Sequence, residues 1–347
     1  MTQKDPWHKI IGIATVVIGT PSALLGMYGI YLLAKNAGPS FSPLSIKIYS
    51  SLLEVTDVPK MTVRYGGSTS FAPLRKPKEM WERIQKTHPD FKLIYVDPIG
   101  KSPGSTTGIG MLLNDSLTFA ESSRPLEPKE YDEAKGRNFS LEQRQVAYDG
   151  VVFYVNPSLN LAKYPRSSLP GLTIKQLKKV LTGEIVNWKD FDGPDIPITV
   201  FTRDPKSGGT PDFIQRNVMG GQKFSDSAQI ENNTTLSINS VAKTPGGIGY
   251  ATASETCNQE TIKSVSIATD EKPEFISPCN SNKETNEVNI SVLENSTYSL
   301  VRPMFVIIKK DGGSSEKAGV AYTNILLSRE GQLILKRAGL APIHNEK

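Results

Sequence analysis

The chain has 347 residues, enough for two or three cores, and at 38% hydrophobic and 22% charged it lacks the signature of a disordered segment. Forty basic against thirty-five acidic residues leave a net charge of +5, a mild bias toward anionic partners. The basic residues are interspersed with acidic ones, which excludes a nucleic-acid-binding stripe.

In chain order, "MTQKDPWHK" is followed by residues 10–34, a run without a single charge. About twenty apolar residues span a bilayer core, so this run predicts a transmembrane helix. Trp7, Tyr28 and Tyr31 stand at its ends like interfacial anchors. A cleaved signal, disfavoured by the length of the run and by the lack of a small-x-small site after it, and a buried core helix are the alternatives. Lys4 and Lys9 before the run against Lys35 after it place the rest of the chain outside the membrane, with residues 1–9 in the cytoplasm. Residues 35–45, rich in Gly, Pro and Ser, read as a linker.

Beyond the linker, strands alternate with helices. "KMTVRY" and "FKLIYV" read as strands around a helical "EMWERIQKTH", whose Met80, Trp81 and Ile84 face a core. "TTGIGMLL" reads as helix and "SLTFAES" as strand, and the charged sequence around Leu141 as irregular helix or loop. "DGVVFYVN" is a buried strand, and "TIKQLKKVLTG" an amphipathic helix with Ile174, Leu177 and Leu181 on one face, stopped by Gly183. "ITVFTR", "GIGYATAS" and "SLVRPMFVIIKK" are strands; "TPDFIQRNVMG" and "AGVAYTNILLSREGQLILKRAG" are each one helix. Trp188 and Phe191 read as packing residues of the middle segment, and Tyr250 as a packing or hinge residue. The alternation predicts an α/β fold with mostly parallel sheets. Cys257 and Cys279 flank a polar loop-like segment and predict a disulfide in an oxidising compartment, two unrelated thiols being the alternative.

Catalytic motifs are missing from the sequence. The three histidines, His8, His88 and His344, assemble no triad or metal site, and no nucleophile elbow, zinc-protease motif or Walker lysine occurs. Anion-binding signals are better developed. "GGSTSF", "PGSTTGIGMLL" and "TRDPKSGGTPDF" each run small hydroxyl residues and glycines into a helix, a geometry that offers N–H groups to an oxyanion. Each loop alone serves equally well as a helix cap. Arg203, ending a strand in the third loop, can add a charge-assisted contact.

The order of these loops resembles the periplasmic phosphate-binding proteins of ABC importers, within the type II solute-binding-protein superfamily. That family reads "G-A-G-A-T-F-x-A-P-L" where this chain has "GGSTSFAPL", and "G-S-G/S-x-G" then "D-F-G-A-S-D-x-P-L" where it has "GSTTG" then "LTFAESSRPL". An arginine followed by "G-S-G-T-x-x-F" is matched by "RDPKSGGTPDF". "LTGEIVNWKDF", "TPGGIGYA" and "YSLVRPMFVIIKK" follow further family segments in the same order, so the resemblance spans about residues 61–339.

The resemblance implies a two-lobed, hinged α/β fold, with lobe I from residues 46–148 and 250–342 and lobe II from residues 149–249. It implies an extracytoplasmic protein, tethered to the plasma membrane by its N-terminal helix, that binds inorganic phosphate without catalysis or cofactor and delivers it to ABC permease subunits. Carried over by position, the ligand set is Ser70, Phe71, Ser105, Ser123, Arg203, Ser207, Gly208 and Thr210. "SGGT" is one residue longer than the family's "SGT", so either Gly208 or Gly209 makes the backbone contact. The larger departure is Ser123, where the family has an aspartate that accepts a hydrogen bond from the ligand's proton. A serine accepts or donates, which weakens the preference for a protonated anion and admits sulfate. Arg124 beside it either brings a positive charge to the ligand or points to solvent. An anchored sensor or scavenger without a transporter, a phosphoester hydrolase on the same fold, and a purely structural surface domain are the rival functions.

Overall fold

A computed structural model describes residues 48–75, 79–159, 171–205, 209–269, 271, 274–280 and 287–344. The apolar run at 10–34, the linker at 35–45, Ser207 and Gly208 lie outside the described residues. Among those described, no helix is long and apolar enough to cross a membrane.

Strand β1 (Met61–Gly67) leads through a short turn into α1 (Ala72–Arg75) and α2 (Glu79–Thr87), then β2 (Phe91–Tyr95), α3 (Ser105–Leu113), β3 (Phe119–Ser122) and α4 (Pro128–Gly136). β1 pairs parallel with β2, in register from Met61 opposite Phe91 to Tyr65 opposite Tyr95, and with β3 on its other side. The four-residue spacing of Met80 and Ile84 puts both in the core beneath β1, with Trp81 half-buried at the flank. Next comes β4 (Ser140–Val155), sixteen residues long.

Its first half, expected as irregular helix or loop, is a strand. Every residue from Ser140 to Arg144 has a partner on β11 (Val301–Lys310), and Lys310 reaches across to Glu142 at 3.4 Å. Local polarity had masked a ladder supplied by a strand some 160 residues away in sequence, the non-local effect that makes strand propensity context-dependent.

The chain continues through β5 (Gly171–Thr173), α5 (Ile174–Thr182), β6 (Thr199–Thr202), α6 (Gly209–Asn217), β7 (Gln229–Ile230), α7 (Thr234–Lys243) and β8 (Gly247–Thr252). Thr173 and Gln176 form a capping box at the start of α5, and Gly183, left-handed at φ 81°, ends it. After β8 come α8 (Ala253–Thr256), β9 (Lys263–Ser264), β10 (Ser266–Ala268), α9 (Ile290–Glu294), β11, α10 (Ser314–Leu327) and α11 (Arg329–Arg337). The single helix expected over the last pair is broken at Ser328, whose hydroxyl accepts from Gly331 N at 3.0 Å and caps α11.

The sheet order is β2-β1-β3-β11-β4-β8-β6-β7, with β9 beside β4 and a separate β5–β10 pair. It is mixed rather than mostly parallel. β11 runs antiparallel to both β3 and β4, and β8 and β9 run antiparallel to β4. β4 itself passes from one half of the molecule to the other: Ser140–Gly150 pair with β11, and Val151–Val155 pair with β8.

Hydrophobic clusters mark two lobes. The first packs Val63, Tyr65, Phe71, Phe119, Met304, Tyr322 and Ile325 around the β1–β3 side. The second packs Val151, Phe153, Leu177, Trp188, Ile214, Ile248 and Tyr250. Trp188 is fully buried there, its indole N–H donating to Gly246 O at 3.0 Å. Residues 253–300, assigned to the first lobe from the sequence, place Cys257, Ile267, Cys279, Leu293, Tyr298 and Leu300 in this second cluster. The Tyr298 hydroxyl donates to Val151 O at 2.8 Å, so this segment is stitched to the second half of β4 before β11 begins. Cys257 and Cys279 are joined by a disulfide with Cα atoms 5.4 Å apart.

Candidate anion-binding cleft

The first loop follows β1 directly. Gly67 has φ +118°, and a side chain there would run into the carbonyl of Glu121. Gly108, on the first turns of α3, faces it with room for no Cβ, which would lie 3.0 Å from Gly67 N. The glycine pair thus lets the start of α3 rest against the end of β1. Ser68 N donates to Glu121 O at 2.8 Å, and the Ser68 hydroxyl accepts from Ser70 N at 3.3 Å. Phe71 N donates to Ser68 O at 3.3 Å, so both backbone N–H groups expected to face a ligand make long bonds within the loop.

Behind the loop, three buried hydroxyls form a chain. Ser68 Oγ donates to Ser123 Oγ at 3.0 Å, Ser105 Oγ lies 3.3 Å from Ser123 Oγ, and Ser123 N donates to Ser105 Oγ at 3.0 Å. Ser105 is the first residue of α3, where the leading N–H groups have no intrahelical acceptor. The third loop ends on this cluster: a Cβ on Gly209 would overlap Ser123 Oγ and lie 2.7 Å from Ser105 Oγ. The start of α6, from the second lobe, therefore touches the two serines of the first. Thr210, next on α6, is buried. At the rim, Arg216 of α6 pairs with Glu127 at 2.7 Å, bridging the lobes. The structure thus brings together Ser70, Phe71, Ser105, Ser123 and Thr210.

Arg203 leaves the end of β6 toward the second-lobe wall. Its Nη1 donates to Thr234 Oγ1 at 3.0 Å and its guanidinium lies 5.9 Å from the Tyr250 ring. Its Nη2 is buried and has no hydrogen-bond partner among the described residues. Glu255, at the start of α8, neighbours it; burial pushes that carboxyl up, Arg203 opposes the shift, and Asp149 adds to it.

Arg124 corrects an expectation. It faces neither ligand nor solvent but is buried in a fork with Glu130, Nη1 to Oε2 at 3.0 Å and Nη2 to Oε1 at 2.7 Å. Its remaining bonds go to Pro125 O at 2.8 Å and Thr106 Oγ1 at 3.2 Å. The charge is neutralised inside the first lobe by a carboxylate of α4, which a reading of neighbours in sequence could not supply.

Sequence reasoning missed Arg302. It sits on β11 where the strand leaves the second lobe, 1% exposed. Nε and Nη2 donate to Asp149 Oδ2 at 3.0 and 2.7 Å, and Nη2 also donates to Ser70 Oγ at 2.6 Å. Asp149 in turn accepts from Thr252 Oγ1 at the end of β8. Two signals were available: a lone arginine in the apolar strand "SLVRPMFVII", and its match to the arginine of the family's late "Y-P-L-x-R-x-L" segment. Among the described residues, no His, Cys, Asp or Glu cluster could hold a metal ion.

A family model described as a PBP superfamily domain matches residues 56–330. The chain belongs to the PBP superfamily. Among curated members, it is 27% identical to the phosphate-binding protein PstS of Staphylococcus epidermidis over 270 residues, covering 77% of this chain and 74% of the relative. It is 25% identical over 270 residues to PstS of Staphylococcus aureus. Among solved structures, a putative phosphate ABC transporter substrate-binding protein with bound phosphate from Clostridium perfringens superposes with a TM-score of 0.62 at 24% identity, over 82% of this chain and 100% of that one. An ABC-type phosphate transport receptor from Vibrio cholerae gives 0.57 at 21% identity, over 80% and 99%. These similarities establish the two-lobed fold of the superfamily for this chain.

Proposed function

We propose that this PBP-superfamily protein binds inorganic phosphate in the cleft between its lobes and presents it, outside the membrane, to the permease of an ABC importer. One observation carries the reading: buried hydroxyls from the first and second loops meet the start of α6, and Arg302, bonded to Ser70 of the first loop, has as a neighbour Arg203, whose buried Nη2 has no hydrogen-bond partner among the described residues. A buried, unsatisfied cationic donor is destabilising without a ligand and is relieved by an oxyanion. The names of the curated and structural relatives point to the same ligand. Binding needs no covalent chemistry, since desolvated N–H and O–H donors replace the anion's water shell.

Ser70, Phe71, Ser105, Ser123, Arg203 and Thr210, with the N–H groups of Ser207 and Gly208, are the contacts of this reading. Ser70 is poised to donate, because its oxygen already accepts from Arg302. The apolar run at 10–34 would tether the protein to the outer face of the plasma membrane, and the disulfide suits that oxidising side.

The test is calorimetric titration of the full-length protein with phosphate, sulfate and arsenate. Phosphate is expected to bind with a Kd of about 1 μM or tighter, and Arg203→Ala to weaken it by about 100-fold or more. Failure of all three anions below about 1 mM would sink the reading. A second anion has a specific argument: Ser123 offers a hydroxyl that both donates and accepts, so sulfate is expected to compete measurably with phosphate.

A further inference from the structure

Arg302 is buried on every side, yet one of its nitrogens is idle. Nε and Nη2 are consumed by Asp149 and Ser70, whereas Nη1 is buried without a hydrogen-bond partner among the described residues. Its guanidinium lies between the first and third loops: Ser70 Oγ is 2.6 Å from Nη2, and the ring of Phe213, on α6, is 5.8 Å from the guanidinium carbon. Arg203 is near enough to repel it. Arg302 is buried and Arg203 half-buried, and each has one buried nitrogen without a hydrogen-bond partner among the described residues; the Glu255 carboxylate lies near both guanidiniums but takes neither of these nitrogens, which a single anion would bridge.

We propose that Arg302 is a second guanidinium contact to the bound anion, donating from Nη1 across the cleft from Arg203. The inference rests on the phosphate-binding reading and adds a residue to it. Asp149 then has a double task. It fixes the fork of Arg302 through Nε and Nη2, leaving Nη1 as the one free edge, and it offsets part of the charge so that the empty cleft is not doubly cationic. Because β11 enters the first lobe at this point and Asp149 ends the first-lobe half of β4, the contact ties the ligand to the crossing strands themselves. The ligand class this arrangement suits is a compact tetrahedral dianion, with one guanidinium on each side.

The experiment measures phosphate affinity of the full-length protein by calorimetry, with thermal unfolding as the check on folding. Arg302→Lys keeps a cation that can reach Asp149 but loses the fork, and is expected to weaken phosphate about 10-fold. Arg302→Met combined with Asp149→Asn removes both charges and is expected to weaken it about 10- to 100-fold. Either variant, folded and binding within about threefold of wild type, overturns the proposal; should the double variant not fold, Arg302→Lys decides. A merely positioning role through Ser70 is separated by repeating Arg302→Lys in a Ser70→Ala background. The loss persists if Arg302 touches the anion, and vanishes, overturning the proposal, if it acts only on Ser70. Arg203→Ala run alongside separates the two readings. If it abolishes binding while the Arg302 variants bind normally, only this inference falls; if wild type binds no phosphate, both do.

Discussion

Arg124 and Arg302 make an instructive pair. Each is a buried arginine joined to a buried carboxylate, Arg124 to Glu130 and Arg302 to Asp149. Arg124 has both terminal nitrogens bonded twice, to Glu130 and to an oxygen beside it. Arg302 leaves Nη1 without a hydrogen-bond partner among the described residues. Burial and charge pairing are therefore the same in the two regions, and what differs is the count of unsatisfied donors. An unmet buried donor costs about 1–3 kcal/mol, more when it is charged. A protein tolerates that cost most readily where a ligand removes it, so Arg124 reads as architecture and Arg302 as part of the site.

The comparison breaks most visibly at Arg124. Arg124→Ala leaves Glu130 buried and unpaired, and is expected to cost about 3–5 kcal/mol of stability in a denaturant titration. The fraction that remains folded should bind phosphate within about threefold of wild type. An affinity loss as large as that from Arg302 would erase the distinction between the two regions.

Gly209→Ala probes the meeting of the lobes. Its methyl group would press on the hydroxyls of Ser123 and Ser105, which are held by their own hydrogen bonds. Phosphate affinity is expected to fall about 10-fold, and the overpacking to cost about 1–3 kcal/mol of stability in the unliganded protein. Unchanged affinity would mean that the ligand-bound cleft does not use this contact.

The smallest effect belongs to the rim. Lys129, and after it Arg216 across the cleft, hold the Glu127 carboxyl down at about 2. Because that value is depressed, the contribution is present above the unfolded value of about 4.5 and is lost as pH falls from there toward about 2. The carboxylate is half-buried but its partners Lys129 and Arg216 are exposed and screened by salt, so Glu127→Gln should change phosphate binding by no more than about 1 kcal/mol near neutral pH. Calorimetry at low and high salt checks this. A larger, salt-independent loss would place Glu127 in the binding machinery.

By itself the sequence determined whatever depends on near neighbours in the chain. The four-residue spacing of Met80 and Ile84, the Thr173–Gln176 cap with Gly183 as its stop, and the glycine-hydroxyl runs that open α3 and α6 are all local, because helix periodicity and capping are settled within a turn or two. The order of those loops also carried the family resemblance. The tertiary structure alone decided the rest. The charged stretch around Leu141 became strand because β11 supplied its ladder, and a continuous apolar pattern broke at Ser328 because a hydroxyl capped a new helix there. Arg124 was withdrawn from the cleft by Glu130, and Arg302 was brought into it by Asp149 and Ser70, residues 153 and 232 positions away in sequence. Whether an arginine is spent or free depends on every acceptor within reach, and that set exists only once the two lobes have come together.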